Sequence, residues 1–372
     1  MEKAKPKKRT QKRPPFQLGG ESIDAGTQKL VNLPVGVFTN NSPVDLGVVV
    51  VHGRKDGPTL LVTACIHGDE INGSEIIRRL LRSRSLRYLR GTLLAVPIAN
   101  VPAFLNRSRY LPDRRDLNRL FPGSEKGSLG ARLARVISEE LVPACDLVID
   151  LHTGAVNRAN LPQIRVTAND EKSLELAHIF GAPVALSANL RPGSFRSICF
   201  QSNKPTILYE SGEALRLDAP SIRFGLQGII SVMRHIHTLP PQKTSKRAKN
   251  PRSRKTHTII CKKSYWERSP IGGIFTPLIA LGSTVEKGDA LGFVSDPFGG
   301  EETQIIAENQ GIVIGRTNEG LADEGDALFH IGIFQDLENA RDKIALSSST
   351  LPGEEDHPVP YDPFTDENSE IT

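Results

Sequence analysis

The sequence predicts an α/β fold, a sheet covered on both faces by helices, followed by a small all-β region. Two observations carry this expectation. Up to about residue 240, short continuous apolar runs alternate with amphipathic stretches, the pattern of strands buried on both faces. From Gly272 to Ile333 the texture changes to short strand candidates separated by turns at ALGS, EKGD, DPFGG and ENQG, with no convincing helix. That is the texture of a small barrel or sandwich.

The elements follow in order. Thr59 to Ile66 (TLLVTACI) reads as a buried strand and Ile71–Leu81 as a helix, with Ile76, Ile77, Leu80 and Leu81 at helical spacing. Leu93 to Ile98 is a second strand. Ala131–Leu141 is a helix that groups Leu133, Ala134, Val136 and Ile137. Asp146–Leu151 (DLVIDL), Gln163–Thr167 and Pro205–Tyr209 (PTILY) complete the strand set, and a further helix ends near His235 and His237. No internal repeat of 20–50 residues is seen. The expected organisation is a disordered basic arm over 1–20, a large α/β domain over 21–240, a basic linker over 241–257, a β domain over 258–336 and an acidic disordered tail over 337–372.

With 372 residues the chain can bury a sizeable core and form two domains. Its net charge of +5 raises the question of a nucleic-acid partner. The charge is localised, however. Residues 1–14 hold seven Lys/Arg and 242–256 another seven, while the stretch from Glu354 holds seven acids and no Lys/Arg. Without these three segments the chain is close to neutral, so the basic runs read as solvated segments and nucleic acid is not the expected partner. The lysine-rich N-terminus is followed by no apolar stretch, and no run of 18 apolar residues occurs, so neither a secretory signal nor a membrane span is expected. Cys65, Cys145, Cys199 and Cys261 are scattered, as in a cytoplasmic protein with reduced thiols.

Three predicted strands run into residues able to bind a metal or move a proton. TLLVTACI leads to His67-Gly68-Asp69-Glu70, DLVIDL to His152-Thr153-Gly154, and PTILY to Glu210-Ser211-Gly212. In open α/β sheets the site lies outside the carboxyl ends of the strands, so the three segments are expected to converge. His67, Glu70 and His152 supply two imidazoles and a carboxylate, a set that leaves a fourth zinc position open. Zinc brings the pKa of water toward about 7, and Glu210 is the further carboxylate able to take the proton and pass it to a leaving amine. A bare HxxE occurs by chance and a lone strand-end His is more often structural; the joint placement carries the argument.

Between the first two segments lies SRYLPDRRDLNRLFPG, residues 108–123. Its arginines can hold a carboxylate in two-pronged fashion, although composition alone fits a solvated surface loop better. Cys65 reads as a small buried thiol. His235 and His237 are spaced to point apart on a helix. His52, His178 and His330 read as core or surface histidines, and Tyr265 and Trp266 as anchors of the β domain.

Together, HGDE, RDLNRLFPG, DLHTG and YESGE resemble the succinylglutamate desuccinylase/aspartoacylase family, a branch of the zinc carboxypeptidase clan. The similarity runs from about Leu30 to Ile333. It implies a zinc-carboxypeptidase-like mixed sheet flanked by helices, with a biotinyl/lipoyl-like barrel after it that packs over the cleft. It implies one zinc per chain on His67, Glu70 and His152, Glu210 as general base, and Asn118 and Arg119 as the pair that binds a substrate carboxylate. Arg109 matches the arginine that polarises the scissile carbonyl, with Arg114 or Arg115 as alternatives because the gap to DLNR is long. Arg196 in GSFR matches a further substrate-side arginine. No lysine occupies the hairpin DPFGGEETQ, so a carrier role is not expected.

The expected activity is zinc-dependent hydrolysis of an amide in a small carboxylate-bearing substrate, an N-acyl amino acid. One alternative is a metallocarboxypeptidase acting on a peptide or protein tail with the same residues. Another is a non-catalytic protein that binds nucleic acid or acidic partners through the basic segments. A homo-oligomer is left open.

Overall fold

The computed structural model describes residues 13–241 and 258–334. The strands are β1 (Phe16–Leu18), β2 (Glu21–Ile23), β3 (Thr27–Val37), β4 (Pro43–His52), β5 (Lys55–Ala64), β6 (Arg90–Val96), β7 (Leu147–Gly154), β8 (Arg158–Thr167), β9 (Val184–Ala188) and β10 (Thr206–Glu213). They continue with β11 (Ile259–Cys261), β12 (Lys263–Arg268), β13 (Gly273–Pro277), β14 (Thr284–Val285), β15 (Ala290–Ser295), β16 (Glu302–Ile306), β17 (Gly311–Thr317), β18 (Leu321–Ala322) and β19 (Ala327–Ile333). The helices are α1 (Asn72–Leu81), α2 (Val101–Leu105), α3 (Leu129–Val136), α4 (Val142–Ala144), α5 (Glu171–Phe180), α6 (Phe195–Gln201) and α7 (Ala219–His235).

A mixed sheet of 13 strands organises the molecule, with the main order β12-β19-β17-β8-β10-β7-β5-β6-β4-β3. Its centre, β10-β7-β5-β6, is parallel, and β7 is buried at every residue from Leu147 to Gly154. That burial explains why DLVIDL is an unbroken apolar run apart from its aspartates. Ile76, Ile77 and Leu80 of α1, Phe180 of α5 and Ile229, Val232 and Met233 of α7 cover one face. Leu133 and Ala134 of α3 and Phe195 and Cys199 of α6 cover the other, so the sheet is the middle of three layers. The helix expected over Ala131–Leu141 is α3 followed by a π-helical stretch, Ile137–Leu141.

Within the stretch 1–20 expected as a disordered arm, residues from Phe16 onward form a strand and turn. Phe16–Leu18 pairs with Glu21–Ile23 across Gly19 and Gly20, both at positive φ, and Leu18 and Ile23 are buried. Arg13 is tied down by the carbonyls of Gly53 and Gly91 and by Asp56. A two-glycine turn between apolar residues makes a hairpin here where composition alone suggested none. Residues 1–12, 242–257 and 335–372 lie outside the described residues, and with them most of the expected arm and linker (241–257) and all of the expected tail (337–372).

The C-terminal region is all-β, but it is not a free-standing unit beside the large sheet. β17 pairs with β8 and β11 with β9, so β12, β14, β17 and β19 extend the large sheet. The order β16-β15-β13-β18 forms a second, four-stranded sheet. Phe275, Val285, Leu291, Val294, Phe329 and Ile331 make the apolar cluster of this region. Strand pairing across a distant linker has no local sequence signal, which is why the continuity was not foreseen. Among the described residues no helix is long and apolar enough to cross a membrane.

Candidate active site

The chain leaves β5 through Cys65, a non-glycine residue at φ 55. The following turn is held by Asn100, whose Nδ2 donates to the Ile66 carbonyl at 3.0 Å. Gly68 packs so tightly on α2 that a Cβ would lie 2.0 Å from the Ala103 carbonyl carbon, so only glycine fits between His67 and Asp69. The turn brings Glu70 back beside His67: Nδ1 of His67 lies 2.7 Å from Glu70 Oε1. His152, near the end of β7, places its Nδ1 2.7 Å from the other oxygen, Oε2. All three side chains are buried, and one ligand atom from each lies within 4.8 Å of the others. The far nitrogens are also held. His152 Nε2 meets Asp150 Oδ2 at 2.8 Å, and His67 Nε2 meets Asp116 Oδ1 at 3.2 Å.

Two imidazoles and a carboxylate that converge, with their outer nitrogens held by carboxylates, are a donor set that could hold a divalent cation. The electrostatics agree. Burial disfavours charge on both rings, yet Glu70 and Asp116 raise His67, and Asp150 and Glu70 raise His152 well above the ordinary imidazole value. Despite complete burial, the two rings hold Glu70 far below the usual carboxylate range. The cluster favours positive charge at its centre, whether protons or a metal ion supply it.

Glu210 stands opposite His152 in the parallel register of β10 and β7, at the spacing of neighbouring strands. Its Oε2 accepts from Asn160 Nδ2 at 2.5 Å and from Arg165 Nη2 at 3.2 Å, and its Oε1 lies 3.2 Å from Arg165 Nε. Arg109 Nη1 reaches Glu70 Oε1 at 3.2 Å and His67 Nδ1 at 3.3 Å. Of the three arginines weighed for that place, Arg109 is the one that arrives there. Arg115 instead bonds Ser128 and pairs with Asp113, and Arg114 does not line the cavity. Asn118 is buried, and its Oδ1 accepts the Phe195 N–H at 2.8 Å. The Arg119 guanidinium donates to the Asn118 carbonyl at 2.6 Å. Both line the same cavity as His67, Glu70, His152, Glu210 and Arg196.

That cavity, of about 720 Å³, is lined by seven arginines against three carboxylates, Glu70, Glu210 and Asp326. Arg196 is 8% exposed; its Nη2 donates to the Asn189 carbonyl at 2.9 Å, but its Nη1 is buried without a partner. Burial, then the guanidinium of Arg165, then that of Arg191 pull its pKa down to about 10, against the attraction of Glu210. The C-terminal strands supply one wall through Trp266, Arg268 and His330. Trp266 stacks on His330 at 4.5 Å between ring centroids, and Arg158 lies 5.2 Å from the Trp266 ring centre. Sequence reading missed Trp266 and His330 as cavity residues, and it missed Asp150, Asp116, Asn160 and Arg165 altogether. Asp150 alone had a local signal, since Asp-x-His on a strand puts both side chains on one face.

Residues 56–236 match the family model described as the succinylglutamate desuccinylase/aspartoacylase catalytic domain. Over this stretch the chain matches the succinylglutamate desuccinylase/aspartoacylase family. It is 35% identical over 144 residues to the N-α-acetyl-L-2,4-diaminobutyric acid deacetylase of Halomonas elongata, covering 37% of this chain and 42% of that one. It is 27% identical over 202 residues to the succinylglutamate desuccinylase of Pseudomonas syringae pv. tomato, covering 50% and 56%. The matches thus span about half the length of these curated relatives. Among solved structures, the product-bound ectoine utilization protein EutE (DoeB) of Ruegeria pomeroyi is 25% identical with a TM-score of 0.73, covering 87% of this chain and 98% of that one. A succinylglutamate desuccinylase/aspartoacylase of Rhodobacter sphaeroides has the same TM-score at 23% identity, covering 83% and 96%, and shares the fold.

Proposed function

We propose that this protein hydrolyses the amide bond of an N-acyl amino acid, using one zinc ion held by His67, Glu70 and His152. The observation that carries the proposal is the convergence of these three residues in an arginine-lined cavity, opposite a carboxylate on the adjacent strand. Zinc bound there supplies a Lewis acid that acidifies water and polarises a carbonyl. Glu210 serves as general base, taking a proton from the attacking water and returning it to the leaving amine. Arg119 and Asn118 hold the substrate carboxylate. With Asn118 Oδ1 occupied by the Phe195 N–H, the group this residue offers an anion is its NH2. Arg109, beside Glu70, stabilises the oxyanion that develops on the scissile carbonyl, an effect of about 3 kcal/mol for one donor in other acyl-transfer sites. Arg196 supplies a second cationic contact on the substrate side.

The catalytic sheet is read as zinc-carboxypeptidase-like and the C-terminal region as the biotinyl/lipoyl-like unit of the family, here serving as a wall of the cavity. That wall of Trp266, Arg268 and His330 favours a small acylated amino acid over a protein tail, and two deacylases among the relatives agree. A carboxypeptidase would use the same residues. Metal analysis of the purified protein, followed by a panel of N-acyl amino acids beside short peptides, decides the matter. Stoichiometric zinc with turnover confined to acylated amino acids is expected. A protein that neither contains nor takes up zinc, or that cleaves only peptides, would sink the reading.

A further inference from the structure

In the free protein the carboxylate proposed as base is not idle. Oε2 of Glu210 accepts from Asn160 and Arg165, and Oε1 lies 3.2 Å from Arg165 Nε. Arg165 and Asn160 both come from β8, which lies between β10 and the C-terminal β17. The backbone of β8 is therefore fixed on both sides.

Arg165 also belongs to a cluster of like charge with Arg191 and Arg196. Arg196 is more than nine-tenths buried, lines the cavity and has an Nη1 with no partner. Three guanidiniums, of which Arg196 is buried, Arg165 half-buried and Arg191 exposed, outnumber the two carboxylates that act on Arg196, Glu210 and Asp150, and an incoming anion relieves that excess of positive charge. An anion seated among these arginines competes with Glu210 for Arg165, whose Nη2 donates to Glu210 while its Nε, though 3.2 Å from Oε1, has no hydrogen-bond partner and is open to a better-aligned carboxylate.

We infer that Arg165 is a substrate-sensitive latch on Glu210: it holds the carboxylate while the cavity is free, and an anionic group of the substrate takes over the guanidinium and releases Glu210 toward the reacting water. Arg165 is thus a positioning residue, and the inference rests on the proposed role of Glu210. No bond is made or broken in the exchange; one ion pair replaces another. The exchange ties the availability of the base to occupancy by a charged substrate, so a neutral molecule of the same shape finds the base still engaged.

Competition has a thermodynamic signature that needs no turnover. Sodium succinate, a dianion without an amide, is titrated by calorimetry into wild type, Glu210→Gln, Arg165→Met and the double variant, with metal content and thermal midpoints checked in each. Removing the competing charge should tighten succinate in Glu210→Gln by about tenfold, and removing the latch should weaken it by about tenfold in Arg165→Met, the scale of close charge pairs. In the Arg165→Met background, Glu210→Gln should change affinity by less than about twofold, because the two effects run through one contact. Arg165→Gln gives the same comparison if the methionine variant does not fold. Equal gains in both backgrounds, no gain in Glu210→Gln, or no binding of succinate to wild type would each overturn the latch. Full turnover of an N-acyl amino acid by Glu210→Gln would instead overturn the role of the base, whatever the binding pattern.

Discussion

Asp150 and His152 lie two residues apart on β7, and Oδ2 of the aspartate meets Nε2 of the histidine at 2.8 Å while the other ring nitrogen faces Glu70. Thr63 on the neighbouring strand β5 donates its hydroxyl to Asp150 Oδ1 at 2.7 Å. The aspartate therefore has one oxygen anchored and one free to fix the imidazole, which sets the tautomer that turns Nδ1 toward the cluster.

From this follows the first prediction. Asp150→Asn should keep the fold but weaken zinc retention by about 10–100-fold, the usual cost of losing an outer-shell carboxylate. Competition against a chelator, with wild type alongside, measures it. Unchanged retention would show that the aspartate is structural only.

Glu210→Gln should retain zinc at the wild-type level and lose turnover by at least about a hundredfold, the lower end of what a general base contributes. The substitution preserves volume at a side chain that is 12% exposed, so the thermal midpoint is expected to hold. Steady-state rates with the best acylated amino acid, together with metal analysis, provide the check.

Arg196→Met should separate binding from stability. The arginine is held by one carbonyl, carries an unpartnered nitrogen and faces Arg165 and Arg191. Its removal is expected to raise stability by about 1 kcal/mol, as for other buried charges replaced by apolar groups. It should also lower kcat/KM about 10–100-fold through the lost charged hydrogen bonds. A melt and a kinetic titration on the same sample test both halves.

His330 makes stability depend on acid. Burial, helped by the Arg165 charge, lowers its pKa from 6.5 to about 3. Between those two values the unfolded chain binds more protons than the folded one, so stability falls as pH drops through that window. At pH 5 the gap of 1.5 units below 6.5 corresponds to about 2 kcal/mol. His330→Phe can still stack on Trp266 and should flatten the decline of the melting temperature between pH 7 and 5. An identical slope in both proteins would refute this assignment.

Among the cavity residues, His67, His152 and Glu210 were legible because strand ends announce themselves. An apolar run that stops at His67, His152 or Glu210 places a polar side chain at the carboxyl edge of the sheet, and period and burial are local properties of sequence. The sequence therefore determined the α/β layers, the three candidate metal ligands and the carboxylate opposite them. Asn118, Arg119, Arg109 and Arg196 became candidates only through the resemblance to the family, since composition alone fitted a solvated loop around the first three.

Only the tertiary structure decided which arginine reaches Glu70, that Arg165 and Asn160 hold Glu210, and that Trp266 and His330 close the cavity. Those contacts join residues far apart in the chain. Arg165 and Glu210 are separated by 45 positions, and Asn160 in β8 meets Gly315 in β17 across the whole linker. The pairing of β8 with β17 depends on unsatisfied backbone groups at a sheet edge, which no side chain encodes. Local periodicity fixes which face a residue presents, but the energy that chooses its neighbour comes from long-range burial and pairing.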